Sequence, residues 1–218
     1  MSQLNMFSDE KVLLPVNDPK AVEQVNGLIF LENYVSLEEH AQILRSIDSE
    51  IWLNDLKRRV QHYGFKYNYK SRSIDHGMYI GALPTWSQQL CNRLVNDKLI
   101  NYLPDQIIVN EYLPGQGIAN HIDCEPCFND TIISLSLISS CVMDIINKDF
   151  PNRRLELLLP PRSLVVLSGE ARYRWTHGIA SRRVDEFNGQ KVIRERRISL
   201  TFRKVILRDG ETANSCSV

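Results

Sequence analysis

Apolar positions recur at helical spacing in two stretches of the first hundred residues. The first stretch follows Ser36, which stands three residues before Glu39 and so forms a capping-box pattern, and it continues to about Ile47. The second stretch covers about residues 85–95. Ahead of both, the apolar run 28–31 predicts a short strand. The first half of the chain is therefore expected to be mainly helical.

From about residue 106 the pattern changes to short apolar runs of alternating character, which are typical of strands. These runs cover residues 107–109, 131–138, 155–159, 164–167 and 198–205. Turns rich in Gly, Pro and Asn separate them, and this arrangement favours a sandwich or barrel. We therefore predict an α+β, mainly β, fold in which helices precede a compact β core.

Composition limits the class of protein. The chain has 218 residues, enough for one domain, with 43% hydrophobic and 24% charged residues and a net charge of zero. No apolar run approaches the 18 residues of a membrane span, and the N-terminus lacks the apolar core of a signal peptide. We expect a cytoplasmic, non-secreted monomer with no membrane contact, or a nuclear one in a eukaryote. Net charge gives no argument for a nucleic-acid partner, so any such argument must come from local clusters.

The cysteine count agrees with a reduced compartment. The five cysteines are Cys91, Cys124, Cys127, Cys141 and Cys216. Cys124 and Cys127 form a single CxxC pair with no second ligand pair nearby, so a zinc site is weakly supported. The favoured interpretation is two ordinary loop thiols.

A candidate metal site lies in the β half. His121 and Asp123 are two residues apart, so on an extended segment both side chains point to one side. With His177 they form the two-histidine, one-carboxylate set of non-haem Fe(II) oxygenases. Taken alone the HxD pair is a weak signal, because a single histidine is more often structural.

A candidate anion site lies on the last predicted strand. Arg197, Ser199 and Arg203 alternate with apolar residues and share one face. Two arginines are costly to bury unpaired, so they either reach water at a sheet edge or bind a small dianion. The two carboxylates of 2-oxoglutarate would suit them. Asn110 and Tyr112 share a face of an earlier strand and can hydrogen-bond such an anion.

Together these residues resemble the AlkB family of Fe(II)- and 2-oxoglutarate-dependent dioxygenases. NEYLPG at 110–115, followed by HID at 121–123, resembles the family signature N-x-Y-x-x-G leading into HxD. GEARYRWTHGI at 169–179 resembles the segment around the second histidine ligand, and RISLTFR at 197–203 resembles the final strand. RRVQHYGFKYNY at 58–69 resembles the nucleotide-recognition region. Within the family, the chain looks most like the tRNA-modifying branch.

The resemblance implies a double-stranded β-helix, or jelly-roll, core preceded by helices and a nucleotide-recognition lid. We expect a loose N-terminal arm over 1–19, one dioxygenase domain over 20–208 and a C-terminal tail over 209–218. Within the domain, the lid is expected at about 52–80 and the catalytic core at about 105–206.

The resemblance also implies the site. The implied Fe(II) ligands are His121, Asp123 and His177. The residues implied for 2-oxoglutarate are Asn110, Tyr112, Arg197, Ser199 and Arg203. Ser199 stands where some members have asparagine, which is expected to weaken one hydrogen bond to the co-substrate. The family reaction uses O₂ to convert 2-oxoglutarate to succinate and CO₂ while a C–H bond of the substrate is hydroxylated.

The lid candidate is strongly basic. Residues 56–74 contain six Lys or Arg side chains and no acid. Tyr63, Phe65, Tyr67 and Tyr69 alternate, so on a strand they would share one face. The alternative is a solvated basic hairpin whose aromatic residues pack on the core, but the resemblance favours a lid that holds a flipped base. The candidate substrate contacts are Arg58, Arg59, Tyr63, Lys66, Tyr67, Tyr69, Lys70, Arg72 and Arg172.

Three functions compete. The favoured one is oxidative demethylation of N-alkylated bases such as 1-methyladenine or 3-methylcytosine in DNA or RNA, with release of formaldehyde. The alternative is hydroxylation of a modified wobble uridine in tRNA. A non-catalytic nucleic-acid-binding module is disfavoured because all three metal-ligand types are present. The basic lid argues against a protein or lipid substrate.

Overall fold

Strands dominate the fold of the computed structural model, which describes residues 17–54 and 56–207. The helices are α1 (Pro19–Glu23), α2 (Leu37–Asp48), α3 (Thr85–Asn96) and α4 (Gly169–Tyr173), with a 3₁₀ turn at His76–Met78. The strands are β1 (Leu28–Leu31), β2 (Arg59–Tyr63), β3 (Gln106–Tyr112), β4 (Ile118–His121), β5 (Ile132–Leu137), β6 (Cys141–Asn147), β7 (Arg154–Leu159), β8 (Leu164–Leu167), β9 (Trp175–Ile179), β10 (Val184–Phe187), β11 (Gln190–Ile193) and β12 (Arg197–Arg203). Among these residues no helix is long and apolar enough to cross a membrane.

The strands form two main antiparallel sheets. The larger has the order β1-β8-β5-β12-β3-β2, the smaller has the order β4-β9-β6-β7, and β10 and β11 form a separate hairpin. Six of the nine pairings among these strands join strands that are not consecutive in the chain, as in a jelly roll. The predicted jelly-roll core with helices ahead of it is therefore confirmed.

Strand β12 shows how alternation divides the interior. Ile198, Leu200 and Phe202 are at most 1% exposed and belong to a core cluster shared with α2 and α3. Arg197 and Arg203 point to the other face, between the two sheets. The larger sheet thus carries an apolar face under the helices and a polar face towards the smaller sheet.

Both predicted helices form, and α2 has the capping box that the sequence predicts. The Ser36 hydroxyl accepts a hydrogen bond from the Glu39 amide at 3.1 Å, and the Glu39 carboxylate accepts one from the Ser36 amide at 2.8 Å. A cap of this kind stabilises a helix by about 1 kcal/mol. Ile43 and Ile47 bury the apolar face of α2 in the core. Helix α3 ends at Asn96, within a residue of its predicted end.

The lid segment differs from the prediction that its four aromatic residues share one face. Strand β2 ends at Tyr63, and Gly64 takes a left-handed φ of 78° that breaks the alternation. Tyr63 packs on Trp86 with ring centroids 5.7 Å apart, whereas Phe65 enters the core at 8% exposure. A Cβ at Gly64 would lie 1.8 Å from the Asp105 carbonyl oxygen, so this turn requires glycine.

The arm predicted over 1–19 and the tail predicted over 209–218 lie mostly outside the described residues. Residues 1–16 of the arm and all of the tail, 209–218, lie outside the described residues. The last arm residues belong to the fold, because the Asn17 amide group donates to the Leu158 carbonyl at 2.8 Å and accepts from the Leu158 N–H at 2.8 Å. Asp18 then caps α1.

Candidate metal centre and adjoining cavity

The three predicted metal ligands converge where β4 and β9 pair. His121 ends β4 and stands directly opposite His177 in β9, with ring centroids 4.4 Å apart. Asp123 follows His121 by two residues and is buried at 6% exposure. One ligand atom from each residue lies within 4.8 Å of the others. The structure therefore brings the HxD pair and the distant histidine to one point.

Each donor is held in a form that can bind a cation. His121 Nδ1 lies 2.9 Å from the Ala119 carbonyl oxygen, which favours a proton on Nδ1 and leaves Nε2 free to coordinate. Burial lowers the pKa of His177 to about 4, so its ring is neutral at pH 7. Burial alone would raise the pKa of Asp123, but nearby positive charge, above all that of Arg203, outweighs burial and lowers the pKa of Asp123 well below its usual value.

The donor set fits Fe(II). Asp123 Oδ2 is buried, lies 3.4 Å from His177 Nε2 and has no hydrogen-bond partner within the part of the chain that the structure describes. A buried carboxylate oxygen without a partner is costly, and a divalent cation would satisfy it. Two imidazoles and one carboxylate on one side of an ion leave its other positions open, as in non-haem Fe(II) oxygenases.

A cavity of about 350 Å³ opens between the sheets beside the three ligands. It is lined by all five residues predicted for 2-oxoglutarate, Asn110, Tyr112, Arg197, Ser199 and Arg203. They come together because β3 pairs with β12, opposing Tyr112 to Arg197 and Asn110 to Ser199.

Arg197 and Arg203, the two arginines that β12 contributes to the cavity, are buried, which excludes the alternative that they reach water at a sheet edge. Arg197 is 3% exposed, and its Nη2 donates to Ser136 Oγ at 2.7 Å. Its Nε and Nη1 have no partner among the described residues. Arg203 is 9% exposed and pairs with Asp123, while its Nε is also unpartnered within the described chain. Buried guanidinium nitrogens without partners favour an anionic ligand with two carboxylates.

Four of the nine predicted substrate contacts reach the cavity. They are Arg58, Tyr67, Tyr69 and Arg72. Tyr67 and Tyr69 meet edge to face with ring centroids 5.0 Å apart, and Arg58 Nε donates to Asn110 Oδ1 at 2.8 Å. Lys66 and Lys70 are exposed on the lid, outside the cavity.

The other three predicted contacts are engaged elsewhere. Arg59 forms an ion pair with Glu111, whose Oε1 accepts from Arg59 Nη2 at 2.7 Å. Tyr63 donates to Gln61 at 2.9 Å, on the helix side of the sheet. Arg172 is 2% exposed, and its guanidinium donates to backbone carbonyls inside the protein. The prediction that Arg172 contacts nucleic acid is therefore wrong, because the side chain does not reach the surface.

Sequence reasoning missed the two serines that support the cavity. Ser136 holds Arg197, and Ser134 Oγ lies 3.0 Å from Ser199 Oγ. The signal was present, because both serines form the polar face of the predicted strand 131–138. That face could have been assigned to the same side as Arg197.

The CxxC pair also differs from its prediction. Cys124 and Cys127 form a disulfide instead of two free thiols, so they offer no zinc site. Both sulfur atoms lie near the Arg72 carbonyl oxygen, at 3.2 and 3.3 Å. The disulfide thus closes a short turn in the loop after Asp123, next to Arg72 of the lid segment.

The chain resembles known proteins of one enzyme class, and that class agrees with the fold and the metal centre. The chain belongs to the 2OG-Fe(II) oxygenase superfamily, whose family model matches residues 27–203, and it is an AlkB-like dioxygenase. The uncharacterized protein L905 of Acanthamoeba polyphaga mimivirus is 39% identical over 188 residues, covering 86% of this chain and 89% of that protein.

Two further known proteins resemble the chain, one in sequence and one in structure. The tRNA (carboxymethyluridine(34)-5-O)-methyltransferase alkbh8 of Xenopus tropicalis is 38% identical over 201 residues, covering 82% of this chain. The alignment covers only 32% of that relative, so the chain spans about a third of its length. The solved structure of OsALKBH1 superposes with a TM-score of 0.64 over 82% of this chain and 98% of that one. At 14% identity, that likeness supports the fold alone.

Proposed function

We propose that this dioxygenase oxidises a modified base of a nucleic acid, and that hydroxylation of a modified wobble uridine in tRNA is the reaction its cavity favours. The charge of the cavity carries this proposal. Among the described lining residues there are four arginines and one carboxylate, Asp123. The net positive charge of the cavity lining favours the uridine reaction over demethylation of a cationic base.

The charges divide into two sets. Arg197 and Arg203 balance the two carboxylates of 2-oxoglutarate, and Asp123 faces the metal. Arg58 and Arg72 are then the remaining cations of the lining, and both belong to the predicted lid segment. Each would repel a cationic base, less where water screens the charge.

This repulsion opposes the first reaction expected from the sequence. 1-Methyladenine and 3-methylcytosine carry a positive charge at neutral pH, whereas a uridine with an ester or carboxylate side chain is neutral or negative. The similarity to the Xenopus protein, whose name specifies carboxymethyluridine 34 of tRNA, supports the same choice.

The chain's own residues would divide the work as follows. When bound, Fe(II) and 2-oxoglutarate would activate O₂, which is the oxidant for both 2-oxoglutarate and a C–H bond of the substrate. Arg197 would hold one carboxylate of 2-oxoglutarate, and Arg203 would orient Asp123 and face the other. Tyr67 and Tyr69 would pack against the flipped base and exclude water above it.

The test is mass spectrometry of anticodon stem-loops incubated with protein, Fe(II), ascorbate and 2-oxoglutarate. One loop carries 5-methoxycarbonylmethyluridine at the wobble position, and two others carry 1-methyladenine or 3-methylcytosine. We expect the uridine loop to gain one oxygen atom, and His177→Ala to abolish the gain. Demethylation of the cationic bases without uridine oxidation would reject the charge argument. Succinate formation with all three loops unchanged would move the substrate outside this set of bases.

A further inference from the structure

Arg172 in α4 is a buried cation without an acidic partner. It is 2% exposed, and the ion pairs formed among the described residues do not include it. Its guanidinium stacks on the Tyr173 ring with a separation of 5.0 Å. Burying a charge in this way is costly unless hydrogen bonds compensate. The contacts of Arg172 therefore indicate which function offsets the cost of burying its charge.

All its hydrogen bonds go to one loop. Arg172 Nη1 donates to the Asp123 carbonyl at 2.9 Å, and Nη2 reaches the carbonyls of Cys124 and Phe128 at 3.4 and 3.5 Å. Arg172 Nε donates to the Asn129 carbonyl at 3.4 Å. The planar fork of donors thus gathers carbonyl oxygens from both ends of the segment 123–129.

That loop and α4 carry two different metal ligands. The loop begins at Asp123, and α4 leads directly into β9, which contains His177. Arg203 holds the Asp123 side chain from β12, whereas Arg172 holds the Asp123 main chain from α4. Arg172 therefore spans the gap between the segments that position the carboxylate and the second histidine.

We propose that Arg172 is a positioning residue of the metal centre, which fixes the main chain of residues 123–129 so that the Asp123 carboxylate meets His121 and His177 at one point. It touches neither metal nor substrate. A lysine at this position would keep the charge but lose the fork, because one ammonium cannot serve four carbonyls in a plane.

The experiment compares Arg172→Lys with Arg174→Lys in the full chain. Arg174 lies two residues further on, is exposed, and pairs with Asp149 at 2.8 Å, so it is a matched control. Anaerobic titration with Co(II), followed by its visible absorption bands, gives metal affinity, and thermal unfolding of the metal-free proteins gives stability. We expect Arg172→Lys to bind Co(II) about 10–100-fold more weakly, the usual effect of removing a group that orients a ligand. Arg174→Lys should keep the affinity of the parent.

A lower melting temperature with unchanged Co(II) affinity would show that Arg172 only stabilises the core, and would overturn the proposal. If Arg172→Lys does not fold, hydrogen exchange on the unaltered protein gives the answer. We expect amides of residues 123–129 to be protected already in the metal-free protein. Protection that arises only when metal is added would mean that the metal, and not Arg172, orders the loop.

Discussion

At the scale of single residues, Arg197 belongs to an anion site that lowers the stability of the fold when no ligand is bound. Its guanidinium is 3% exposed, and two of its three nitrogens lack partners within the described chain. An unpaired buried charge destabilises a fold unless a ligand completes it. The residue is therefore better explained by an anionic ligand than by the folding of the metal-free chain.

Arg197→Met should separate these two roles. Loss of two charge-assisted hydrogen bonds should raise the KM for 2-oxoglutarate about 100-fold or more. The free energy of unfolding of the metal-free protein should stay the same or rise, because an apolar side chain replaces an uncompensated charge. Succinate production against 2-oxoglutarate concentration, and urea unfolding, measure the two quantities. An unchanged KM would remove Arg197 from the anion site.

At the scale of elements, the contact between β4 and β9 sets the separation of the two histidines. Gly178 follows His177, and a Cβ there would lie 2.1 Å from Asn120 Oδ1 and 2.8 Å from the Asn120 backbone nitrogen. Gly178→Ala should push β4 away from β9 and weaken Co(II) binding at least about tenfold, since ligand geometry is lost. In Gly77→Ala the new Cβ would meet only Asp75 Oδ1 at 3.2 Å, so this variant is the control. Equal affinity in both variants would show that β4 tolerates the shift.

The lid can be tested by removing one aromatic ring from the cavity. Tyr69 lines the cavity, whereas Tyr79 lies outside it, is 56% exposed and packs on Phe65. Tyr69→Ala should reduce turnover of a modified oligonucleotide about 10–100-fold, because a stacked base is worth about 1–3 kcal/mol. Uncoupled decay of 2-oxoglutarate should continue, as measured by succinate without oligonucleotide. Tyr79→Ala should leave both rates unchanged, and parallel loss of both rates in Tyr69→Ala would indicate a structural role for Tyr69.

The elements also show where sequence reasoning reaches its limit. Alternation and a capping box were sufficient for β5 and α2, because those patterns are local. The β10–β11 hairpin was missed although Asn188 and Gly189, both with positive φ, form its two-residue turn and Asn-Gly is a strong hairpin signal. The burial of Arg172 could not have been read from the sequence, since its partners lie more than 40 positions away in the chain.

At the scale of the whole molecule, a net charge of zero conceals a chain of ion pairs that crosses several elements. Glu111 on β3 is 2% exposed and accepts hydrogen bonds from Arg59 Nη2 and Arg196 Nε, each at 2.7 Å. Arg196 also donates to Asp48 at the end of α2, at 3.0 Å. These contacts connect the end of α2, strand β2 and the residue before β12. They lie on the side of β3 opposite the cavity.

Protonation of Glu111 at low pH should weaken these ion pairs, and the variant Glu111→Gln tests this expectation. The hydrogen bond from Arg59 outweighs burial and lowers the pKa of Glu111 below its unfolded value of about 4.3. A lowered folded pKa contributes stability above the unfolded pKa, and that contribution is lost as pH falls through the folded one. Glu111→Gln should therefore lower the free energy of unfolding at pH 7 by about 1–2 kcal/mol. This figure is smaller than that for breaking a fully buried ion pair, because both arginines are partly exposed. The difference in stability between the parent protein and Glu111→Gln should shrink below about pH 4.

Glu156→Gln, which removes an exposed pair with Arg154, should change little at either pH. Urea unfolding at both pH values measures the effect, and an equal loss at pH 7 and in acid would show that Glu111 acts through packing and not through its charge.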